Sequence, residues 1–383
     1  MTDNRLQQLA QCGQSLWLDF LSRQILDSGE LQQMIEHQNI RGLTSNPTIF
    51  EKAIAGSDLY RPDIERGAQN NLSTEQIYQS LAFDDIRRAC DILQPIYQES
   101  DGNDGYVSME VSPLLARDPQ GTLQEARRFF QEINRENLMI KIPGTPESME
   151  AVEQAIFEGM NVNITLLFSV DLYAESAWAY IRGLERRVEA GQPVNKLASV
   201  ASFFLSRIDT KVDETLDRRI NHQGTESLSE ERRLQSVKGK VAIANAKLAY
   251  QRYLEIEQSD RWKALAAKGA NPQRLLWAST GTKNPQYSDV RYVEELIGRN
   301  TVNTAPLDTI QACESHCDIH CDRITDGIEE AKNLINSLSD PDIDINLDDV
   351  MNELLEDGIE KFVQPYNSLL QTIDEQVRQL AHA

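Results

Sequence analysis

The chain has 383 residues, enough for one large α/β barrel or two average domains. Its 38 Lys and Arg against 60 Asp and Glu leave a formal net charge of -22, a field that would repel nucleic acid and anionic membranes. No run reaches the ~18–20 apolar residues of a membrane span, and the N-terminus lacks a charged-then-apolar signal pattern, so the expectation is a cytoplasmic protein.

Short apolar runs alternate with longer stretches of helical period. The predicted strands, in chain order, are Ser15-Asp19, Arg41-Ser45, Gly105-Ser112, Leu138-Pro143, Asn161-Ser169, Leu197-Leu205, Arg274-Thr280 and Asn300-Thr304. Helices are predicted over Thr74-Gln98, Thr122-Glu136, Pro146-Glu158, Val170-Ala190, Ser236-Ile256 and Val290-Ile297. Asn221-Glu231 reads as an exposed polar loop. Repeated strand-then-helix order implies a parallel sheet, and eight such units imply a closed (β/α)8 barrel over about residues 14–305. An open doubly wound sheet is the rival, but the glycine-rich phosphate turn of its nucleotide-binding versions is missing. Residues 306–383 read as an additional acidic, helical C-terminal region of the same single domain. Within it, the acidic run from Asp340 lacks the glycine a calcium loop needs, and Asn346 is expected to cap a helix starting at Leu347.

The strands carry a period-2 pattern. Met139 and Lys141 oppose Leu138, Ile140 and Ile142. Asn161, Asn163, Thr165, Leu167 and Ser169 oppose Val162, Ile164, Leu166 and Phe168. Tyr106, Ser108, Glu110 and Ser112 oppose Val107, Met109 and Val111, and Ser15, Trp17 and Asp19 oppose Leu16 and Leu18. With helices covering the outside of a parallel sheet, the polar set must look into the barrel, where strand C-termini hold barrel chemistry.

Lys141 is the residue this pattern makes hardest to place. It sits inside an apolar run ending at Pro143, where an ammonium is costly to bury. A desolvated lysine can serve as a nucleophilic amine; equally, a lysine at a strand end can reach solvent or a carboxylate. Asp19 and Asn46 lie at strand ends and could be helix caps or site residues. Glu110, between Met109 and Val111, should be buried and paired. Thr165 and Ser202 are strand hydroxyls. Arg207 could hold a phosphate as a planar fork or form a surface ion pair.

The five cysteines are too few, and odd in number, for a secreted disulfide framework. Cys313, Cys317 and Cys321 recur every fourth residue beside His316 and His320. They could bind a soft metal or act as a redox site, but the favoured reading is a buried stripe on one helix, because the C-x-x-C pairs of zinc modules are absent.

The segments GLTSNPTIF (42–50), SMEVSP (108–113), LMIKIPGT (138–145), NVNITLLFS (161–169), ASFFLSRID (201–209) and LLWASTGTKNP (275–285) together resemble the transaldolase family in its longer bacterial form. The resemblance runs from about Gln14 to Thr304, and the helical region around Leu354 and Glu356-Asp357-Gly358 also looks like that form. It implies transfer of a dihydroxyacetone unit from sedoheptulose 7-phosphate to glyceraldehyde 3-phosphate through a lysine Schiff base, with no cofactor and no metal. Lys141 would be the Schiff-base lysine and Asp19 the acid/base at the substrate C4 hydroxyl. Glu110 and Thr165 would polarise a proton-shuttling water. Asn46 and Ser202 would bind hydroxyls of the dihydroxyacetone unit, with Asn163 and Thr44 supporting. Arg207 would bind the phosphate. Where the short form has a second arginine after the strand-seven serine, here Ser279, this chain has Lys283. Partners would be small sugar phosphates and, compatibly, further copies of the chain. The alternatives are a lysine aldolase that cleaves without transfer and a non-catalytic sugar-phosphate-binding barrel.

Overall fold

The computed structural model describes residues 4–222 and 228–381. Eight strands form: β1 (Gln14–Leu18), β2 (Ile40–Thr44), β3 (Tyr106–Glu110), β4 (Leu138–Pro143), β5 (Asn161–Leu167), β6 (Ser199–Phe204), β7 (Arg274–Ala278) and β8 (Thr301–Ala305). They pair in sequence order, all parallel, and β8 returns to β1 to close a barrel. Each corresponds to one predicted strand. The end of β5 differs because the polar residue just past it is taken up as a helix cap. Ser169 accepts from the Leu172 amide and so starts the helix Val170–Glu189.

Helical crossovers bury the outer strand faces, so nearly every strand residue is buried. The helix predicted from Thr122 starts earlier, at Pro119. Asp118 accepts from the Gly121 amide, and Pro119 sits where the helix needs no N–H. The single helix predicted over Ser236-Ile256 is two, Leu228–Val237 and Val241–Glu257. Gly239 breaks it with φ +67, and two buried carboxylates cap the second start: Asp213 takes the Gly239 amide at 2.8 Å and Asp209 the Ala242 amide at 2.9 Å. The predicted loop Asn221-Glu231 is helical at Asn221 and His222, the end of the helix Ser206–His222, and again from Leu228; residues 223–227 lie outside the described residues. The helix predicted over Val290-Ile297 shortens to Arg291–Glu294.

The floor of the barrel is a packed polar plug. Asp104 accepts from Ser15 at 2.6 Å and from the Trp17 indole at 3.1 Å, and pairs with Arg274 at 3.1 Å. Gly42 makes this possible, since a Cβ there would lie 2.5 Å from the Trp17 ring.

Beyond the barrel run Leu307–His316, Ile328–Ser337 and the 35-residue helix Leu347–Ala381. Asn346 caps the last by accepting from the Asp348 amide at 3.1 Å. The cysteine stripe does not form as expected. The helix ends at His316, where Cys317 turns extended, so only Cys313 lies on it. Cys321 instead bonds to Cys12, 309 residues away, and Cys90, Cys313 and Cys317 are buried thiols. No described helix is long and apolar enough to cross a membrane.

Candidate active site

The C-terminal ends of the strands surround a cavity of about 430 Å³. Asp19, Thr44, Asn46, Lys141, Thr165, Ser202, Arg207, Ser279 and Lys283 all line it, so nine of the eleven residues singled out from sequence converge there. The other two, Glu110 and Asn163, stand just beneath, in register with Lys141 on either side: Glu110 beside it on β3 and Asn163 beside it on β5.

Lys141 is 4% exposed, on the interior face that the strand alternation assigned to it. Its ammonium donates to the Ser45 carbonyl at 3.0 Å and lies 3.4 Å from a Glu110 oxygen. That carboxylate contact is long for a charge-assisted hydrogen bond, and neither Glu110 oxygen has a well-aligned donor among the described residues. Burial pushes the Glu110 carboxyl up to about 7, against the pull of the Lys141 charge. Thr165 Oγ1 is also buried without a described partner. Buried polar groups are normally paired, so unspent hydrogen-bonding capacity around a lysine suits groups that take turns holding a proton or a substrate atom.

Asp19 follows β1, and its amide bonds to the Ala305 carbonyl at 2.9 Å. It caps no described helix. Its carboxylate accepts from Thr44 at 2.7 Å. Burial raises its pKa above the usual carboxylate range, while Lys141, the Thr44 hydroxyl, Arg207 and Lys283 draw it back. Thr44 also meets Thr304 of β8 at 2.6 Å. Sequence reasoning missed Thr304, a hydroxyl at the last position of a predicted strand; Thr44 enters only through the family resemblance.

Asn46 is a helix cap and also lines the cavity. Its carbonyl oxygen caps Pro47–Ala55 by accepting from Ile49 at 3.0 Å, which leaves the amide N–H₂ to donate elsewhere. Ser202 donates to Asn163 at 2.7 Å, and Asn163 donates to Ser108 at 3.0 Å, a buried line that fixes the Ser202 hydroxyl. Ser279 takes a left-handed φ of +57 and meets Ser206 at 2.9 Å.

Arg207 makes no surface ion pair with the described residues. Its guanidinium lies 5.1 Å from the Phe204 ring centroid, one terminal nitrogen is buried without a described partner, and burial lowers its pKa against the pull of Asp19, Asp357 and Glu110. A guanidinium with a nitrogen left free in this way has the geometry to accept an oxyanion. Lys283 and Lys52 stand exposed at the same rim, adding positive charge to a protein that is acidic overall.

The predicted alternation of β5 fails at one place. Its register with β6 shifts between Ile164 and Leu167, and Leu166 adopts φ +60. This bulge takes Leu166 off the outer face and brings its side chain to the C-terminal helix, 3.0 Å from where a Cβ on Gly358 would stand. That helix also delivers Phe362 to the cavity wall, a residue no sequence pattern singled out.

The profile of the family described as Transaldolase/Fructose-6-phosphate aldolase matches residues 16–373. A protein named transaldolase from Trichodesmium erythraeum is 56% identical over 380 residues, 99% of each chain. One named transaldolase 2 from Nostoc punctiforme is 56% identical over 381 residues, 100% of each chain. A transaldolase of Thiobacillus denitrificans is 45% identical over 370 residues, covering 97% of this chain and 99% of that one.

Proposed function

This chain belongs to the transaldolase/fructose-6-phosphate aldolase family, and on that footing we propose how its barrel mouth performs the transfer. Its activity is that of a transaldolase of the pentose phosphate pathway. The sugar phosphate enters with its phosphate toward Arg207, assisted by Lys283, and its ketone toward Lys141. Asn46 and Ser202 hold the hydroxyls of the three-carbon end.

Lys141 Nζ adds to the C2 carbonyl, and loss of one water leaves an iminium. Glu110, with its acidity near neutrality, accepts and returns protons during this step through a water held with Thr165. The iminium withdraws electrons. Asp19 removes the C4 hydroxyl proton, the C3–C4 bond breaks, and its electron pair moves toward the iminium to form an enamine. The aldehyde, erythrose 4-phosphate, leaves. The enamine carbon then attacks the carbonyl of glyceraldehyde 3-phosphate, and Asp19 returns the proton to the new C4 oxygen. Water hydrolyses the resulting iminium and releases fructose 6-phosphate.

The observation that supports this reading best is the environment of Lys141. Its buried ammonium has one backbone hydrogen bond and one carboxylate at a distance, and it shares a cavity with Asp19 and Arg207. Borohydride reduction in the presence of fructose 6-phosphate should fix a dihydroxyacetone-derived adduct on Lys141, seen by peptide mass analysis. An unmodified Lys141 peptide would overturn the Schiff-base reading.

A further inference from the structure

The Schiff-base mechanism leaves one requirement without a residue. The enamine must survive until an acceptor arrives, although its nucleophilic carbon can also take a proton from water. Protonation gives an iminium; a hydroxide then adds, the C–N bond breaks, and dihydroxyacetone leaves with the free amine restored. The net consumption is one water per enamine, and the transferase becomes an aldolase.

Strands wall Lys141 on the barrel side, with Glu110 and the Ser45 carbonyl beside its ammonium. Another wall is the ring of Phe362, whose centroid lies 5.5 Å from Nζ. Phe362 is 4% exposed and, among the described residues, is the only one of Leu347–Ala381 that lines the cavity. The helix is held firmly at this point, because residues four apart share a face. One turn before, Gly358 brings the backbone close to Leu166 and Arg207: a Cβ there would stand 3.0 Å from the leucine and 3.6 Å from the guanidinium. One turn after, Tyr366 donates to Glu75 at 2.9 Å and packs edge-on against Tyr78, centroids 5.8 Å apart. A ring held in this way offers no acidic proton, displaces water, and attracts a cationic iminium through its face.

We infer that Phe362 is the residue that shields the enamine on Lys141 from water and so sets the partition between transfer and release, a role that rests on the Schiff-base reading. The test uses the full-length enzyme with fructose 6-phosphate and erythrose 4-phosphate. It measures free dihydroxyacetone against sedoheptulose 7-phosphate formed. Phe362→Ala should raise the ratio of release to transfer about tenfold, the scale on which one apolar group counts in a pocket. Phe362→Leu, which keeps an apolar wall, should stay near the wild-type ratio. Phe362→Val gives a smaller rise and serves if the alanine variant does not accumulate. A change confined to folding would lower both products together and leave the ratio alone. An unchanged ratio in the alanine or valine variant, beside a normal borohydride adduct on Lys141, overturns the shielding role alone. A leucine variant as leaky as alanine overturns it as well. Absence of the adduct in the wild-type enzyme overturns both the shield and the Schiff-base mechanism.

Discussion

At the scale of single residues, we propose that the site works by placing ionisable groups where burial and neighbouring charge oppose each other. Asp19 has one hydroxyl donor, from Thr44, and a burial that favours its neutral form, so it can both take and return a proton. Asp19→Ala should lower turnover by about 10²- to 10⁴-fold, the usual contribution of a positioned acid/base, while a Schiff base on Lys141 can still be trapped. Turnover near wild type would remove Asp19 from the proposed role. Glu110 makes a pH prediction whose sign is set by its raised pKa. Between the ordinary value of 4.5 and about 7 the folded protein holds a proton there that the unfolded chain has lost. Stability from this group is therefore greatest below about 4.5 and declines as pH rises to about 7. Glu110→Gln should flatten that part of the melting-temperature profile between about pH 4.5 and 7, and should remove an inflection near pH 7 from the rate of Schiff-base formation. Identical profiles in the two proteins would refute it. These residues were legible in sequence because each is a polar side chain at the end of an apolar strand. Phe362 was not, since an aromatic on an amphipathic helix looks like any core residue until its neighbour is known.

At the scale of elements, period-2 alternation placed the interior face correctly on β1, β3 and β4, because a strand inside a closed barrel has no other way to turn its side chains. The alternation broke at the β5 bulge, which depends on pairing with β6 and leaves no mark in the sequence of β5 alone. One helix was misjudged because buried groups from elsewhere intervened. Asp209 and Asp213 terminate and restart a helix from which they are well separated in sequence. Close packing gives a prediction here. Gly42→Ala should force its new methyl against the Trp17 ring at the barrel floor, which is fully buried and hydrogen-bonded to Asp104. The expected cost is about 1–3 kcal/mol, read as a shift in denaturant midpoint at constant slope. A midpoint equal to wild type would show that the floor can relax more than its packing implies.

At the scale of the whole molecule, we propose that barrel and C-terminal helices form one cooperative domain, because the last helix supplies a wall of the same cavity that the strands build. The bridge between Cys12 and Cys321 ties the segment before β1 to the region after β8. A link closing so long a loop restricts the unfolded chain strongly. Cys12→Ser should lower stability by about 2–4 kcal/mol. Reductant should lower the melting temperature of the wild type toward that of the variant, with no effect on the variant itself. Equal melting temperatures for the two oxidised proteins would refute this.

The order of eight strands and several of their covering helices, the polar inner face, and the motifs that tie the chain to its family were readable in the amino-acid sequence. These are local or periodic properties, set by which side chains must leave water and by the geometry of a strand. The folded chain alone determines which cysteines join, where β5 bulges, which carboxylates restart a helix, and that Phe362 stands over Lys141. Each of these brings together residues far apart in the chain. Such pairings come from barrel closure and from the path of the last helix across its mouth, and no window of sequence contains both partners.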